Sequence, residues 1–471
     1  MKKSRDGKKV SDVKIAYIGG GSRGWARGLM SDLALEERLS GTVYLYDIDY
    51  GAAKDNEIIG NKINSLPQNK TDWKYKAVKT AAEAMTDADF VVISILPGTF
   101  DQMRSDVHTP EKYGIFQSVG DTVGPGGIVR AMRTIPMYRE IAENIKAYCP
   151  AAWVINYTNP MTVCTRTLYE VFPEIKAFGC CHEVFGTQEF IANVFNEYTG
   201  IYPERHEILA NVVGINHFTW MNSIKCRGED VLAMMKDYAQ THKDGMASAS
   251  WNWMNKNFTS NQAVKLDLMR RYGILAAAGD RHLAEFCPGS WYLDSPEQVA
   301  SYKFKLTTVQ WRIDAQQMQI KETKELVSGK KKPEIKPTGE EGVHQMVALC
   351  GLDSYVTNVN VPNRGQISSL PLGAVVETNA YFSGDSVQPI YSGSIQGDVN
   401  SLIIRHVYNQ ETIVKETLAG NYNGVFRAFV NDPNVQLSLD KARVLFDEML
   451  FNTKEYLPYY DRYLAEKEQN N

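Results

Sequence analysis

The sequence predicts an α/β protein: a doubly wound parallel sheet over its first 200 residues and an α+β unit over the rest. Three observations carry that prediction. Short apolar, β-branched runs alternate with stretches of helical spacing as far as about residue 200. The first of those runs breaks abruptly into a glycine triplet. Beyond Ile201 the alternation gives way to long amphipathic stretches mixed with strand-like pieces. Parallel strands need a crossover of a dozen or more residues, normally a helix, so a strand–helix alternation is their signature.

The elements follow in order. Val13 to Ile18, "VKIAYI", is a buried strand, and "WARGLMSDLAL" continues it with helical spacing. "GTVYLYDID" is the second strand and ends in Asp47 and Asp49. "AKDNEIIGNKI" is helical, and "WKYKAVKT" is a short strand. "ADFVVISILPG" is apolar and β-branched up to Ser94. "AAWVINYTNP" and "IKAFGCC" supply two further strands. In the second half, "EDVLAMMKDYAQ" and "SPEQVASYKFKLTTVQWRIDAQQMQIKETKELV" are amphipathic, and "LGAVVETNAYFSG" is strand-like. "SGKKKPEIKPTGEEG" reads as a solvated loop whose lysines form surface. The domain division expected is 1–200 and 201–471.

Gly19, Gly20, Gly21 and Ser22 follow the first strand and open a helix. Glycine lets backbone N–H groups approach a pyrophosphate at a helix N-terminus. Asp47, at the end of the second strand, stands where an acidic residue accepts a ribose hydroxyl. A plain tight turn is the alternative. The combination favours a Rossmann-type dinucleotide site, and the acid favours NAD over NADP. Ser94 and Asn156, at the ends of two later strands, fall on the same sheet edge and join the cofactor-binding candidates.

The chain has 471 residues, 44% hydrophobic and 23% charged, with a formal net charge of −4. That balance gives no reason to expect a nucleic-acid or membrane partner. The basic start "MKKSRDGKKVSD" lacks the apolar stretch of a secretory signal, and no run is long enough to span a bilayer. Seven scattered cysteines point to free thiols in a reducing compartment, so a cytoplasmic location is expected.

Two cysteines are adjacent, in "GCCHEVFG". Cys181 follows a strand at the carboxyl edge of the sheet, and "GINHFTW" puts His217 in a second apolar context. A thiolate and an imidazole are good ligands for a divalent transition metal; two ordinary buried residues are the other reading. His182 and Glu183 read equally as loop residues. Asp121 in "SVGDTVGPGG", Asn159 in "INYTNPM", and Asp280 with His282 in "AAAGDRHLAEF" are polar groups where apolar runs end. Singly each is a turn or cap; together they describe loops around one pocket.

The chain resembles glycoside hydrolase family 4, the NAD- and metal-dependent glycosidases. The matching stretches are "KIAYIGGGS", "ADFVVISI", "GDTVGPGGIVRAMRTIP", "NYTNPMTV", "GCCHEV", "GINH" and "VNVPNRGQISSLPLGAVVE". "CHEV", Cys181 to Val184, is similar to the α-galacturonidase branch. The resemblance implies NAD and Mn²⁺, with Cys181 and His217 holding the metal; it gives Cys180 no role, and that residue reads as the apolar end of a strand. It implies a galacturonide substrate, for which Asp121, Asn159, Glu183 and His217 are the candidate contacts; Glu183 reads either as a contact to the carbon-4 hydroxyl or as a surface residue. Asp280 aligns with the catalytic base, which is a tyrosine in other branches; Tyr272 is the second candidate. His182 matches the acid position. Arg130, Arg133, Arg281 and Arg364 are candidates for the substrate carboxylate. "LPGT" stands where the family usually has "RVGG" or similar. The second domain would build the sugar site and the contacts of a dimer or tetramer.

The family's chemistry is an exception to the two-carboxylate pattern of glycosidases. The resemblance implies oxidation at carbon 3 by NAD⁺, metal-assisted removal of the carbon-2 proton by Asp280, and elimination of the aglycone with help from His182. Water addition and return of the hydride complete the cycle. An α-galactosidase or α-glucosidase of the same family is the near alternative. An NAD-dependent dehydrogenase, or a non-catalytic NAD-binding regulator, is the distant one; neither needs Cys181, His217 and Asp280 together.

Overall fold

A computed structural model describes residues 1–246 and 260–469. Six parallel strands form its first part: β1 (Val10–Ile18), β2 (Leu39–Tyr46), β3 (Trp73–Val78), β4 (Phe90–Ile93), β5 (Trp153–Asn156) and β6 (Lys176–Gly179). They lie in the order β3-β2-β1-β4-β5-β6. This is the order of a dinucleotide-binding sheet, whose topological switch falls between β1 and β4. β4 is buried along its whole length, as a strand covered on both faces must be.

Helices cover both faces. On one side α1 (Trp25–Leu35) packs Met30 and Leu33 into a cluster with Val343, Met346 and Val347. On the other, α3 (Gly124–Tyr148) and α4 (Met161–Val171) contribute Tyr138, Ile141, Ile145, Cys164 and Leu168. Between them in sequence, α2 (Tyr50–Ile63) begins at Asp49, which caps it by accepting the Ala52 N–H. The next helix, α5 (Glu183–Thr199), starts directly after β6 and the Cys180–His182 turn.

The second half does not build a sheet of its own. Its strands β7 (Ile208–Ile215), β8 (Phe218–Cys226), β9 (Ser354–Pro362) and β10 (Val375–Ser383) join the open edge of the first sheet. β9 pairs antiparallel with β6 through Asn360 and Gly179, β10 lies next, and β7 and β8 follow. An unpaired edge at β6 would expose a row of backbone groups; β9 lies along it and pairs where Asn360 meets Gly179. The helix Gly342–Leu349, from the second half, completes the core over α1.

Two expectations change here. The long stretch from Ser295 is two helices, Pro296–Ser301 and Val309–Ser328, because Ser295 and Thr308 each cap a new start. The loop around "KPTGEEG" is not simply solvated. Lys336 and Thr338 are tied to Ser31 and Asp32 of α1, and Glu341 is paired with Arg205 and Thr357. Those ties carry the segment across α1 toward the carboxyl edge of the sheet. Among the described residues, no helix is long and apolar enough to cross a membrane.

Candidate functional site

The glycine loop is shaped by contact. Gly19 has φ +93°, and a Cβ there would sit 2.0 Å from the Ser94 carbonyl oxygen. A Cβ on Gly21 would lie 2.7 Å from the Ala52 Cβ and 2.9 Å from Asp47 Oδ2. The Gly21 N–H donates to Asp47 Oδ2 at 2.8 Å, and Asp49 N–H donates to Oδ1 at 2.9 Å. Burial pushes the Asp47 carboxyl above the ordinary range in spite of those bonds. Asn56 Nδ2 donates to the carbonyls of Gly20 and Ser22, and Ser22 Oγ accepts the Trp25 N–H at the start of α1. Gly24, at the helix entrance, faces open space. A loop stripped of Cβ atoms before an open helix N-terminus fits a pyrophosphate.

Two cofactor candidates, Asn156 and Ser94, also brace the protein itself. Asn156 Oδ1 accepts the Tyr138 hydroxyl at 2.5 Å and the Thr158 N–H at 3.0 Å, and its Nδ2 donates to the Thr158 carbonyl. Ser94 supplies its carbonyl to the close approach at Gly19, and its hydroxyl side faces Tyr17.

Cys180 and Cys181 have different surroundings. Cys180 lies in the core, its Sγ 3.5 Å from Gln345 Oε1. Cys181 is buried beside Asn216, Glu377 and the Glu183 N–H; burial drives its thiol well above the ordinary value. Asn358 Nδ2 contacts the Cys181 carbonyl at 3.4 Å and Glu377 at 2.6 Å, while Thr219 donates to the same carboxylate. Glu377 thus ties the cysteine segment to the β7–β8 turn. Hydrogen-bonded by these neutral donors, it is raised to about 7 by burial.

That turn presents His217, held at φ +65°. A left-handed non-glycine residue costs roughly 1–3 kcal/mol and marks a position fixed by its surroundings. Thr122 Oγ1 lies 2.9 Å from His217 Nδ1, and the His282 ring stacks on the imidazole at 3.7 Å. Asp121, His217 and His282 offer donor atoms that all lie within 4.8 Å of one another. Burial and His282 press His217 down to about 3, so its ring is neutral at pH 7. Burial opposes ionisation of Asp121, but His282, Arg130 and His217 hold its carboxyl at about 2. Neutral imidazoles beside an ionised carboxylate form a donor set that suits a divalent cation.

Glu183, the first residue of α5, accepts the Gly279 N–H on Oε2 at 2.5 Å. Its Oε1 lies 3.8 Å from His282 Nε2 and 4.0 Å from His182 Nε2. His182 stacks on Trp25 and pairs through Nδ1 with Glu340 at 3.1 Å. Burial lowers the His182 value, but Glu340 and Glu183 outweigh it and leave the ring more basic than usual. Asp280 opens the helix Asp280–Phe286, fully buried. Its Oδ1 accepts the Lys265 N–H at 3.0 Å, a capping contact on the helix Ala263–Tyr272. Burial raises its carboxyl, and burial lowers the neighbouring Lys265 ammonium to about 8. Tyr272 packs in an apolar cluster with Trp220.

The arginines divide. Arg130 donates from Nε to the Asn159 carbonyl, and Arg281 donates from Nη2 to the Ser118 carbonyl, both beside the Asp121 loop. Asn159 Oδ1 is buried with no partner among the described residues. Arg133 is consumed by Asp106 and by the Pro97 carbonyl, which anchors the "LPGT" loop. Arg364 is exposed. Arg312, which no motif singled out, lies close enough to couple with Asp121, Arg130 and Arg281. Glu340, Lys265 and Arg312 gave no signal in sequence. Glu377 did, as the last residue of "LGAVVE".

Comparison with known proteins places this geometry. Residues 14–197 match the model of the family 4 glycosyl hydrolases, and residues 212–435 match that of their C-terminal domain. The alpha-galacturonidase of Thermoanaerobacterium saccharolyticum is 58% identical over 95% of this chain and 97% of its own. The crystal structure of the Bacillus subtilis protein lplD superposes with a TM-score of 0.89 at 48% identity, covering 94% of this chain and all of that one. A 6-phospho-alpha-glucosidase from gut microorganisms, solved with NAD and Mn²⁺, shares the fold at a TM-score of 0.78 and 20% identity, over 96% and 99% of the two chains.

Proposed function

Because the chain belongs to the family 4 glycosyl hydrolases, we propose that it cleaves α-galacturonides with NAD and a divalent cation as its cofactors. The observation that carries the substrate is the near-full-length identity, well above half, to an alpha-galacturonidase. Support for the cofactors comes from the glycine cradle closed by Asp47 and from the Asp121, His217 and His282 donors.

When bound, NAD⁺ supplies a reversible hydride acceptor for the sugar and the cation supplies a Lewis acid for its oxygens. Gly19, Gly20 and Gly21 with Asp47 bind and orient the dinucleotide. Cys181 and His217, the pair named by the family motifs, would hold the cation; of the two, only His217 falls in the group of donor atoms that lie within 4.8 Å of one another. Asp280, fixed through Oδ1, takes the proton from carbon 2 of the sugar; its raised basicity favours that role. His182 gives a proton to the leaving oxygen, oriented by Glu340 at its other nitrogen. Arg130 and Arg281, with Arg312 beside them, receive the carboxylate on carbon 5, because a buried carboxylate needs a charged donor. Arg133 and Arg364 have no part in this, one being paired and the other exposed.

Paired assays test the substrate. p-Nitrophenyl α-galacturonide and p-nitrophenyl α-galactoside are compared with NAD⁺, Mn²⁺ and thiol present. The galacturonide should be strongly preferred. Equal rates, or preference for the neutral sugar, would move the activity to an α-galactosidase and leave the cofactor chemistry standing.

A further inference from the structure

Of the donor group Asp121, His217 and His282, the sequence motifs give a metal role to His217 alone. In the stacked pair, one nitrogen of His217 is hydrogen-bonded and one nitrogen of His282 has a carboxylate as its neighbour. His217 Nδ1 meets the Thr122 hydroxyl at 2.9 Å, which leaves Nε2. His282 Nε2 faces Glu183 Oε1 at 3.8 Å, which leaves Nδ1. That Nδ1 is buried and has no hydrogen-bond partner among the described residues. A buried ring nitrogen without a partner calls for one. One donor atom from each ring and one Asp121 oxygen lie within 4.8 Å of one another, a spacing that one ion can share. Histidines that ligate a metal characteristically turn their second nitrogen to a carboxylate or another oxygen acceptor, which sets the ring orientation. Glu183 meets that requirement. Its Oε2 is pinned by the Gly279 N–H, three residues before His282, and its Oε1 faces the ring.

We propose that His282, through Nδ1, is a ligand of the divalent cation alongside His217 and Asp121, and that Glu183 is the carboxylate that holds its ring in place. The proposal rests on the reading of this pocket as a metal site. It gives the glutamate of the "CHEV" motif a positioning role at the metal centre instead of a contact with the carbon-4 hydroxyl. It also links the motif to the loop carrying Asp280, since the Glu183 carboxylate accepts the Gly279 N–H and lies 3.8 Å from the His282 ring.

The test uses the full chain, freed of metal with chelator and reloaded with Mn²⁺ alone. Electron spin-echo envelope modulation of the bound Mn²⁺ counts coordinated imidazole nitrogens. The parent should show two and His282→Gln one, with Mn²⁺ bound at least about tenfold more weakly by the variant. Glu183→Gln should keep both nitrogens and weaken Mn²⁺ binding by about 10- to 100-fold. NAD⁺ affinity measured on each variant reports whether it is folded; if His282→Gln is not, the count in the parent decides alone. A single nitrogen in the parent overturns the assignment of His282. If hydrolysis remains Mn²⁺-dependent in that case, the proposed function stands without it. A chain that binds no Mn²⁺ overturns both.

Discussion

Asp280→Asn separates two roles that the structure gives one side chain. The carboxylate caps the helix Ala263–Tyr272 through the Lys265 N–H and is the proposed base. Asparagine keeps an acceptor oxygen, so the cap survives in large part. What is lost is the charge beside Lys265, whose ammonium already sits at about 8. Lys265 can respond by releasing its proton, at a cost of about 1.4 kcal/mol at pH 7 for a one-unit gap. That bounds the destabilisation, and the melting midpoint should fall by only a few degrees. Loss of a general base removes roughly 10²- to 10⁴-fold in rate. The assay is turnover of p-nitrophenyl α-galacturonide in D₂O with NAD⁺ and Mn²⁺, followed by NMR of the released sugar. The parent should place deuterium at carbon 2. The variant should show neither exchange nor turnover, with NAD⁺ and Mn²⁺ binding retained. Exchange that persists in Asp280→Asn would reduce Asp280 to a cap and refute the assignment. Product without deuterium from the parent would refute carbon-2 chemistry altogether.

Asp47→Ala should weaken NAD⁺ binding by roughly 10- to 100-fold, since a hydrogen bond to a charged acceptor is worth ~1.5–3 kcal/mol and the Gly21 N–H loses its anchor as well; unchanged affinity by calorimetry would make Asp47 only a strand-end brace. Cys181→Ser should lose metal and activity while Cys180→Ser keeps most of both, because Cys180 faces the core and Gln345; metal analysis and rates in the opposite order would reverse the two positions. Burial raises Glu285 to about 8, although the Val119 and Gly120 N–H groups bond it. The folded chain therefore keeps a proton that the unfolded chain releases near 4.5, and stability falls as pH rises from about 4.5 through about 8. Glu285→Gln can still accept both N–H bonds, so its melting midpoint should decline less than the parent's between about pH 6 and about 8.5. Parallel profiles would show that Glu285 does not set the slope.

What the sequence determined by itself is what depends on near neighbours. A β-branched run followed by three glycines and a helix is a local pattern, and the strands, the glycine loop, Asp47 and the adjacency of Cys181 with Glu183 were legible from it. The pairing of distant segments was not legible. One sheet runs through both halves because β9, from the second half, pairs with the edge strand β6, with β10 beyond it. That addition brings Asn358 to Cys181 and Glu377 to the His217 turn. The same holds for Glu340 at His182, Arg312 near Asp121, and His282 stacked on His217. In sequence each of these is a polar residue on an ordinary helix or loop. Only tertiary structure decided their roles, because donor geometry is set by which backbones lie side by side, and no periodicity within a segment records its neighbours.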